Sequence, residues 1–447
     1  MSGRFEFAVI YGRRRIGKTT LMAHFAEGKD VFFFSAQLSN GHLSLQQFSN
    51  AVLEFFNEPM IRRFDDWKMA FKYIGEKTSG RRLLFIIDEF PYLAESNPDI
   101  LSVLQHAIDH QWKNGMLFLM LCGSTMGFME REVLGAKSPI FDRRTAQFFI
   151  ECFNYRDACK FYPNYTAEAR LMAYAIWGGT PHYLHLIDDT KPISENVLNT
   201  ILKRDAYLAD EPTFLLKQEF REPGLYSAIL EAISSGSSKI NEIAMRLGED
   251  VSKCSKYLQS LMHIGLVLRE TPFGAKESSR KSIYRVTDPF FRFWYRFIFS
   301  NKGLIDREMG EIVWNRLIEP AFSTFMGSLF EAICRDFLWH ANQTQSLPFL
   351  FDTIGRWWGT DSRMKKEVEI DLVAAGMNHI LFSECKWTKE PCGISILRDL
   401  ENKAECIKEH RYHHYSIFSK NGFTKELTKE AASRKDLLLF DLDDLFG

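Results

Sequence analysis

Tyr11-Gly12-Arg13-Arg14-Arg15-Ile16-Gly17-Lys18-Thr19-Thr20 decides the fold. Residues 5–11 read as an apolar strand and 19–26 as a helix, so a GxxxxGK[ST] loop joins the end of a strand to the start of a helix. A glycine-rich turn is the plain alternative, and the strand-loop-helix setting argues against it. In that setting backbone N–H groups at the helix N-terminus wrap phosphate oxygens. Gly12, Arg13, Arg14, Arg15, Ile16, Gly17, Lys18, Thr19 and Thr20 are the candidate nucleotide contacts, with Lys18 neutralising the β- and γ-phosphates and Thr19 ligating Mg²⁺.

Outward from the loop, residues 83–87 form a second apolar run that ends in Asp88-Glu89. Nucleotide hydrolysis needs a metal-holding acid and a water-polarising base at such a strand end, roles that fall to Asp88 and Glu89. Further strand-like runs lie at 31–36, 117–122 and 147–152, and amphipathic helices at 45–56 and 100–112. Apolar strands separated by helices predict an α/β fold with a parallel sheet covered on both faces. No NKxD guanine signature is present, so ATP is the expected nucleotide.

These stretches, together with Cys122-Gly123-Ser124 and Gly178-Gly179-Thr180-Pro181, resemble the archaeal-type family of AAA-related, STAND-like P-loop ATPases of archaea and bacteria. The resemblance implies that Ser124 is a polar sensor beside the nucleotide and that the Gly-Gly-x-Pro motif belongs to a helical lid sensing nucleotide state. Pro139-Ile140-Phe141-Asp142-Arg143-Arg144-Thr145 is similar to the family's basic motif, in which Arg143 or Arg144 faces nucleotide; surface salt bridges are the alternative. Relatives usually carry a further Arg-containing motif and a helix before the first strand, which here starts at Phe5, so a shortened start is expected.

The ATPase domain is expected over 1–154 and the helical lid over 155–222, with helices at 167–177, 182–187 and 195–207. Helices at 226–233, 240–247 and 252–264, then strands at 266–271 and 282–286 about a turn at Gly274 and 278–280, outline a winged helix-turn-helix over 223–288. Ile240, Ile243, Ala244 and Leu247 form one apolar stripe, and Leu258, Leu261 and Met262 the next. Lys253, Lys256 and Ser260 point away from that stripe. Basic residues outnumber acids over 237–285, so double-stranded DNA is the expected partner; lids and protein docking modules share the outline.

From 289 onward a second α/β unit runs to 447. Asp371 closes one expected strand (368–374) and Glu384-Cys385-Lys386 closes the next (379–385), and alternation puts Glu384 and Lys386 on one face. Two carboxylates can hold Mg²⁺ while Lys386 positions the attacking water. The pattern resembles the PD-(D/E)xK, restriction-endonuclease-like fold, with Ile370 where the proline of the motif stands, and the resemblance implies that Glu331, on a helix at 325–338, is its additional acid. Exposed strand-end charges, or an inactive tail that docks proteins, remain open alternatives. The stretch 290–299 could stack bases around Arg292 and Arg296, or pack as a helix on the sheet with both arginines at its rim.

Composition sets the outer bounds. The 447 residues are 46% hydrophobic and 25% charged, which suits several ordinary globular cores and excludes a disordered or collagenous chain. A formal net charge of −1 supplies no global field, so any nucleic-acid contact must be local. The longest apolar runs, such as 116–122, predict no membrane span, and the first residues hold no apolar signal region. The eight cysteines show neither a CxxC pair nor zinc spacing, which places the chain in a reducing cytoplasm. A homo-oligomer or a protein partner is compatible with all of this.

Overall fold

The computed structural model describes residues 3–58, 63–276, 279, 281–361, 365–407 and 410–446. They form two compact units, Met1–Cys152 and Phe153–Gly447.

The first unit is built on five strands, β1 (Glu6–Tyr11), β2 (Val31–Ser35), β3 (Leu84–Asp88), β4 (Phe118–Gly123) and β5 (Ala146–Phe149), all parallel in the order β2-β3-β4-β1-β5. Strand alternation divides the apolar residues between two cores. Phe7, Val9, Phe32, Phe34, Phe85, Ile87, Leu119 and Leu121 pack with the helices Gly41–Phe55, Trp67–Lys77, Phe90–Ser96 and Ile100–Ala107. Ala8, Ile10, Leu84, Ile86, Met120 and Cys122 pack with Met22 and Ala26 of the helix Lys18–Ala26. β5 departs from the expected run at 147–152: it stops at Phe149 and exposes Gln147, Phe148 and Phe149, because it is an edge strand paired only with β1.

The second unit begins with short helices, among them Ala167–Trp177, Pro181–Leu184 and Ile193–Thr200. Helices Pro223–Ser234, Ile240–Leu247 and Val251–His263 follow, then an antiparallel ribbon of β6 (Val267–Glu270) and β7 (Ile283–Val286). Of the expected stripe Ile243, Ala244, Leu258 and Leu261 are buried and Ile240, Leu247 and Met262 half-buried, while Lys253 and Lys256 are exposed. Gly274 of the expected turn sits at φ 76°; Ser278 and Arg280 lie outside the described residues.

A mixed sheet completes the unit: β8 (Thr353–Asp361), β9 (Lys366–Ala375), β10 (His379–Lys386), β11 (Tyr412–Ser419) and β12 (Leu437–Phe440), in the order β12-β11-β10-β9-β8. β8, β9 and β10 pair antiparallel, and β10, β11 and β12 pair parallel. The helices Ile394–Ala404 and Lys425–Ser433 supply Leu397, Leu400, Ala404 and Leu427 to its core.

Apolar runs predict no span; the helical run Gly310–Gln343 is long and apolar enough to cross a bilayer by length and composition alone, a test that a core helix also passes. Its apolar residues are interrupted by charge, which hides the length from a search for unbroken runs. Phe330 meets Trp387 and Phe337 meets Phe418 and Phe440, so this helix packs on the second sheet. Of the two readings of 290–299 the packed helix describes it: Phe290, Phe291, Phe293, Trp294, Tyr295 and Phe297 are buried. It packs among helices, with Trp294 Nε1 donating to Ala209 O at 3.0 Å and Phe293 meeting Phe322 and Phe325; Arg296 is exposed, but Arg292 turns inward.

Candidate functional site

In the first unit the loop after β1 closes by backbone geometry that glycine permits. Gly17 has φ 86°, and a Cβ at Gly12 (φ 152°) would stand 2.2 Å from Ile150 O. Arg15 takes φ 67° without being glycine, a local strain of about 1 kcal/mol or more of the kind that collects at ligand-binding loops. Lys18 is buried, and its ammonium donates to Gly12 O at 2.9 Å and Arg13 O at 2.7 Å. Burial lowers its pKa, against the opposing pull of Cys122, Glu89 and Asp88.

The acids expected at the end of β3 stand beside this loop. Thr19 Oγ1 donates to Asp88 Oδ2 at 2.8 Å, and the Glu89 N–H donates to Asp88 Oδ1 at 2.9 Å. Glu89 sits at φ 50°, where β3 turns into the next helix. Ser124, just past β4, donates its hydroxyl to both Glu89 oxygens at 2.9 and 2.7 Å. Thr19 and Asp88 thus present hard oxygen donors side by side, a donor set that fits Mg²⁺, which keeps most of its waters and takes few protein ligands. For a nucleotide the loop fits in path and charge, provided Lys18 releases its own loop carbonyls. Ile16 is buried and Thr20 exposed; Arg14 Nη2 donates to Tyr92 OH at 2.5 Å, a contact with no signal in the sequence.

Both arginines of the basic motif have structural partners. Arg143 clamps Asp109 with two hydrogen bonds of 2.8 and 2.7 Å and donates to Pro139 O. The pair lowers the Asp109 pKa and raises that of Arg143. Arg144 donates to Leu134 O and Phe141 O and lies 4.6 Å over the Phe141 ring. The salt-bridge alternative therefore describes Arg143 as it stands here.

In the second unit, Asp371 lies inside β9 and not at its end, because β9 runs on to Ala375. Its Oδ2 accepts the Cys385 N–H at 2.8 Å, which brings it beside Glu384 and Lys386 on β10. Glu384 is buried, and Lys386 Nζ reaches its Oε1 at 2.5 Å. Lys403, from the helix Ile394–Ala404, adds a second ammonium at 3.3 Å, a partner that the sequence pattern misses because it comes from a separate helix. Burial, then the charges of Glu384 and Glu331, raise Asp371 to about 7. Burial opposes the Lys386 charge, but Glu384 prevails and raises its pKa.

Glu331 faces arginines, with Arg285 at 3.8 Å and Arg356 at 3.9 Å. Among the described residues no group of three or more His, Cys, Asp or Glu stands together so as to hold a metal. Glu331, Asp371 and Glu384 therefore do not form a three-carboxylate set; Asp371 and Glu384 remain as two oxygen donors beside a lysine, which fits Mg²⁺.

Comparison with known proteins finds an ATPase-domain family at the start of the chain. Residues 1–187 match a family described as an ATPase domain predominantly from Archaea, and residues 294–404 match one described as archaeal and bacterial proteins of unknown function. An uncharacterized protein of Methanocaldococcus jannaschii is 33% identical over 449 residues, spanning 99% of this chain and 96% of that protein. Among solved structures, the Walker-type ATPase of Pyrococcus abyssi aligns with a TM-score of 0.48 and 16% identity over 65% of this chain and 91% of its own. The Aeropyrum pernix ORC2 protein, in ADPNP and ADP complexes, aligns with a TM-score of 0.41 and 15% identity over 68% of this chain and 89% of its own.

Proposed function

Because the chain belongs to the family of its Methanocaldococcus jannaschii relative and opens with an ATPase domain of the predominantly archaeal kind, we propose that it hydrolyses ATP with Mg²⁺ in the cytoplasm and uses nucleotide state to govern a nuclease-like tail on DNA. The observation that carries this reading is the joining of loop, acid pair and sensor: Thr19 bonded to Asp88, and Glu89 held through both oxygens by Ser124. Bound Mg²⁺ would neutralise phosphate charge. Thr19 and Asp88 would hold it, Lys18 would swing from the Gly12 and Arg13 carbonyls to the phosphates, and Glu89 would orient and polarise the attacking water. Ser124 keeps that carboxylate in place, so loss of its hydroxyl acts on turnover through Glu89.

Three features support DNA as the object of the tail. Lys253 and Lys256 are exposed on the helix Val251–His263, which takes the place of a recognition helix if residues 223–288 are a winged helix. Asp371, Glu384 and Lys386 gather at adjoining strands of a mixed sheet. The order of an antiparallel β8-β9-β10 followed by parallel β11 and β12 suits a restriction-endonuclease-like core. The test is plasmid cleavage with Mg²⁺ or Mn²⁺, comparing the wild type with Asp371→Ala and Lys386→Ala. Nicking lost in both variants supports the reading, and nicking that survives both removes the tail from it.

A second reading has its own observation. Glu384 is already compensated by Lys386 and Lys403, and Glu331 by arginines, as in a tail whose charges serve structure. The protein is then a nucleotide-gated switch with a silent tail that docks a protein partner. Absence of both cleavage and duplex binding under every nucleotide condition selects this reading.

A further inference from the structure

Within the second unit a cavity of about 730 Å³ lies between the β6–β7 ribbon and strands β8 and β9. Arg285 from β7, Arg292 from the helix Pro289–Phe293 and Arg356 from β8 line it, with Trp358 on one wall and Lys239 and Lys281 also lining it. A smaller cavity of about 80 Å³ shares the same three arginines and reaches Glu331 and Asp371. The guanidinium groups therefore stand between a roomy chamber, which Glu367 and Glu369 also line, and the acids Glu331 and Asp371.

Their pairing is uneven. Arg285 meets Glu270 at 3.3 Å, and Arg356 meets Glu369. Both reach Glu331 only at 3.8 and 3.9 Å, beyond hydrogen-bond distance, and Glu331 Oε2 is buried without a hydrogen bond. Arg292 donates to Ser328 Oγ and lies 5.4 Å from the Phe325 ring, but among the described residues no carboxylate stands within 4 Å of it. Burial and the neighbouring Arg285 and Arg356 lower its pKa to about 10. Arg292 has the charge of Glu331 nearby but, among the described residues, no direct ion pair, and shares that one carboxylate with Arg285 and Arg356; an anion offering several oxygens to planar forks relieves such an excess of guanidinium charge, which phosphate does. The chamber is larger than inorganic phosphate requires and falls in the size range of small-ligand sites. An indole on its wall offers a face for a heterocyclic base, and Ser234, whose buried hydroxyl has no partner, lines the same chamber.

We propose that this chamber binds a nucleoside phosphate, its phosphate on Arg292 between Arg285 and Arg356 and its base against Trp358. The chamber is lined by no residue of the phosphate loop. A free nucleotide and the 5′-phosphate end of a strand offer the same chemistry.

The test uses the full chain carrying Lys18→Ala, so that the phosphate loop contributes no nucleotide binding. Calorimetric titrations use AMP, GMP, CMP and UMP, and a tetranucleotide with and without a 5′-phosphate. The expected result is saturable binding of at least one phosphorylated probe, weakened roughly tenfold or more by Arg292→Gln and separately by Trp358→Ala. Binding of the mononucleotides supports a free nucleotide, and binding of the phosphorylated tetranucleotide alone supports a strand end. Absence of saturable binding for every probe overturns the proposal, as does undiminished affinity in both variants or equal binding of the unphosphorylated tetranucleotide. Should Arg292→Gln fail to fold, Trp358→Ala decides alone.

Discussion

Lys18 holds its own loop closed, and that contact sets the behaviour expected of the residue. Its ammonium is bonded to two carbonyls of the loop it serves, so nucleotide binding must exchange those bonds for phosphate oxygens. Ser124→Ala should leave nucleotide affinity near the wild-type value and lower turnover by roughly tenfold, because the substitution frees Glu89 without touching the phosphates. A matched loss of affinity and turnover contradicts that division. Asp371 gives a stability prediction of definite sign. The folded chain keeps its proton up to about pH 7, where an unfolded Asp releases it at about 4. The folded state therefore binds more protons across that window, and this group's contribution to stability is lost as pH rises through it. In chelator, the melting temperature of the wild type should fall between pH 5 and pH 7.5 by more than that of Asp371→Asn; equal slopes count against the raised pKa. At this scale Lys18 and Thr19 were legible because a strand-to-helix loop fixes their spacing, and Asp88 and Glu89 because they close an apolar strand. Lys403 and Tyr92 were not, because each reaches its partner through tertiary packing.

The elements divide by how cleanly their side chains are sorted. β1 to β4 were readable as apolar runs because neighbouring strands and helices on both faces demand such residues. β8 was not: Thr353–Asp361 mixes Gly355, Gly359 and two tryptophans, and none of its first eight residues is fully buried. The Gly-Gly-x-Pro motif shows what an element junction requires. A Cβ at Gly179 would stand 1.8 Å from Phe153 O, whose residue donates its N–H to Gly179 O at 2.8 Å. Gly179→Ala should destabilise the second unit by about 1–3 kcal/mol through overpacking, read as a lowered denaturation midpoint. An unchanged midpoint shows that the backbone there yields freely.

For the whole molecule, a net charge of −1 on 447 residues leaves binding to local patches. Lys256 is exposed, and Lys253 is paired with its helix neighbour Glu249, so reversing both to Glu should remove salt-sensitive duplex binding while ATP turnover persists. Binding that survives places the DNA contact elsewhere. The family match gives residues 1–187 an ATPase domain, which makes the start of the chain the firmest ground for function. The most direct measurement is release of phosphate from Mg²⁺-ATP by the purified chain beside its Lys18→Ala variant. The account predicts steady turnover in the wild type and a fall of at least about a hundredfold in the variant; equal rates in the two, or no turnover in the wild type, contradict it.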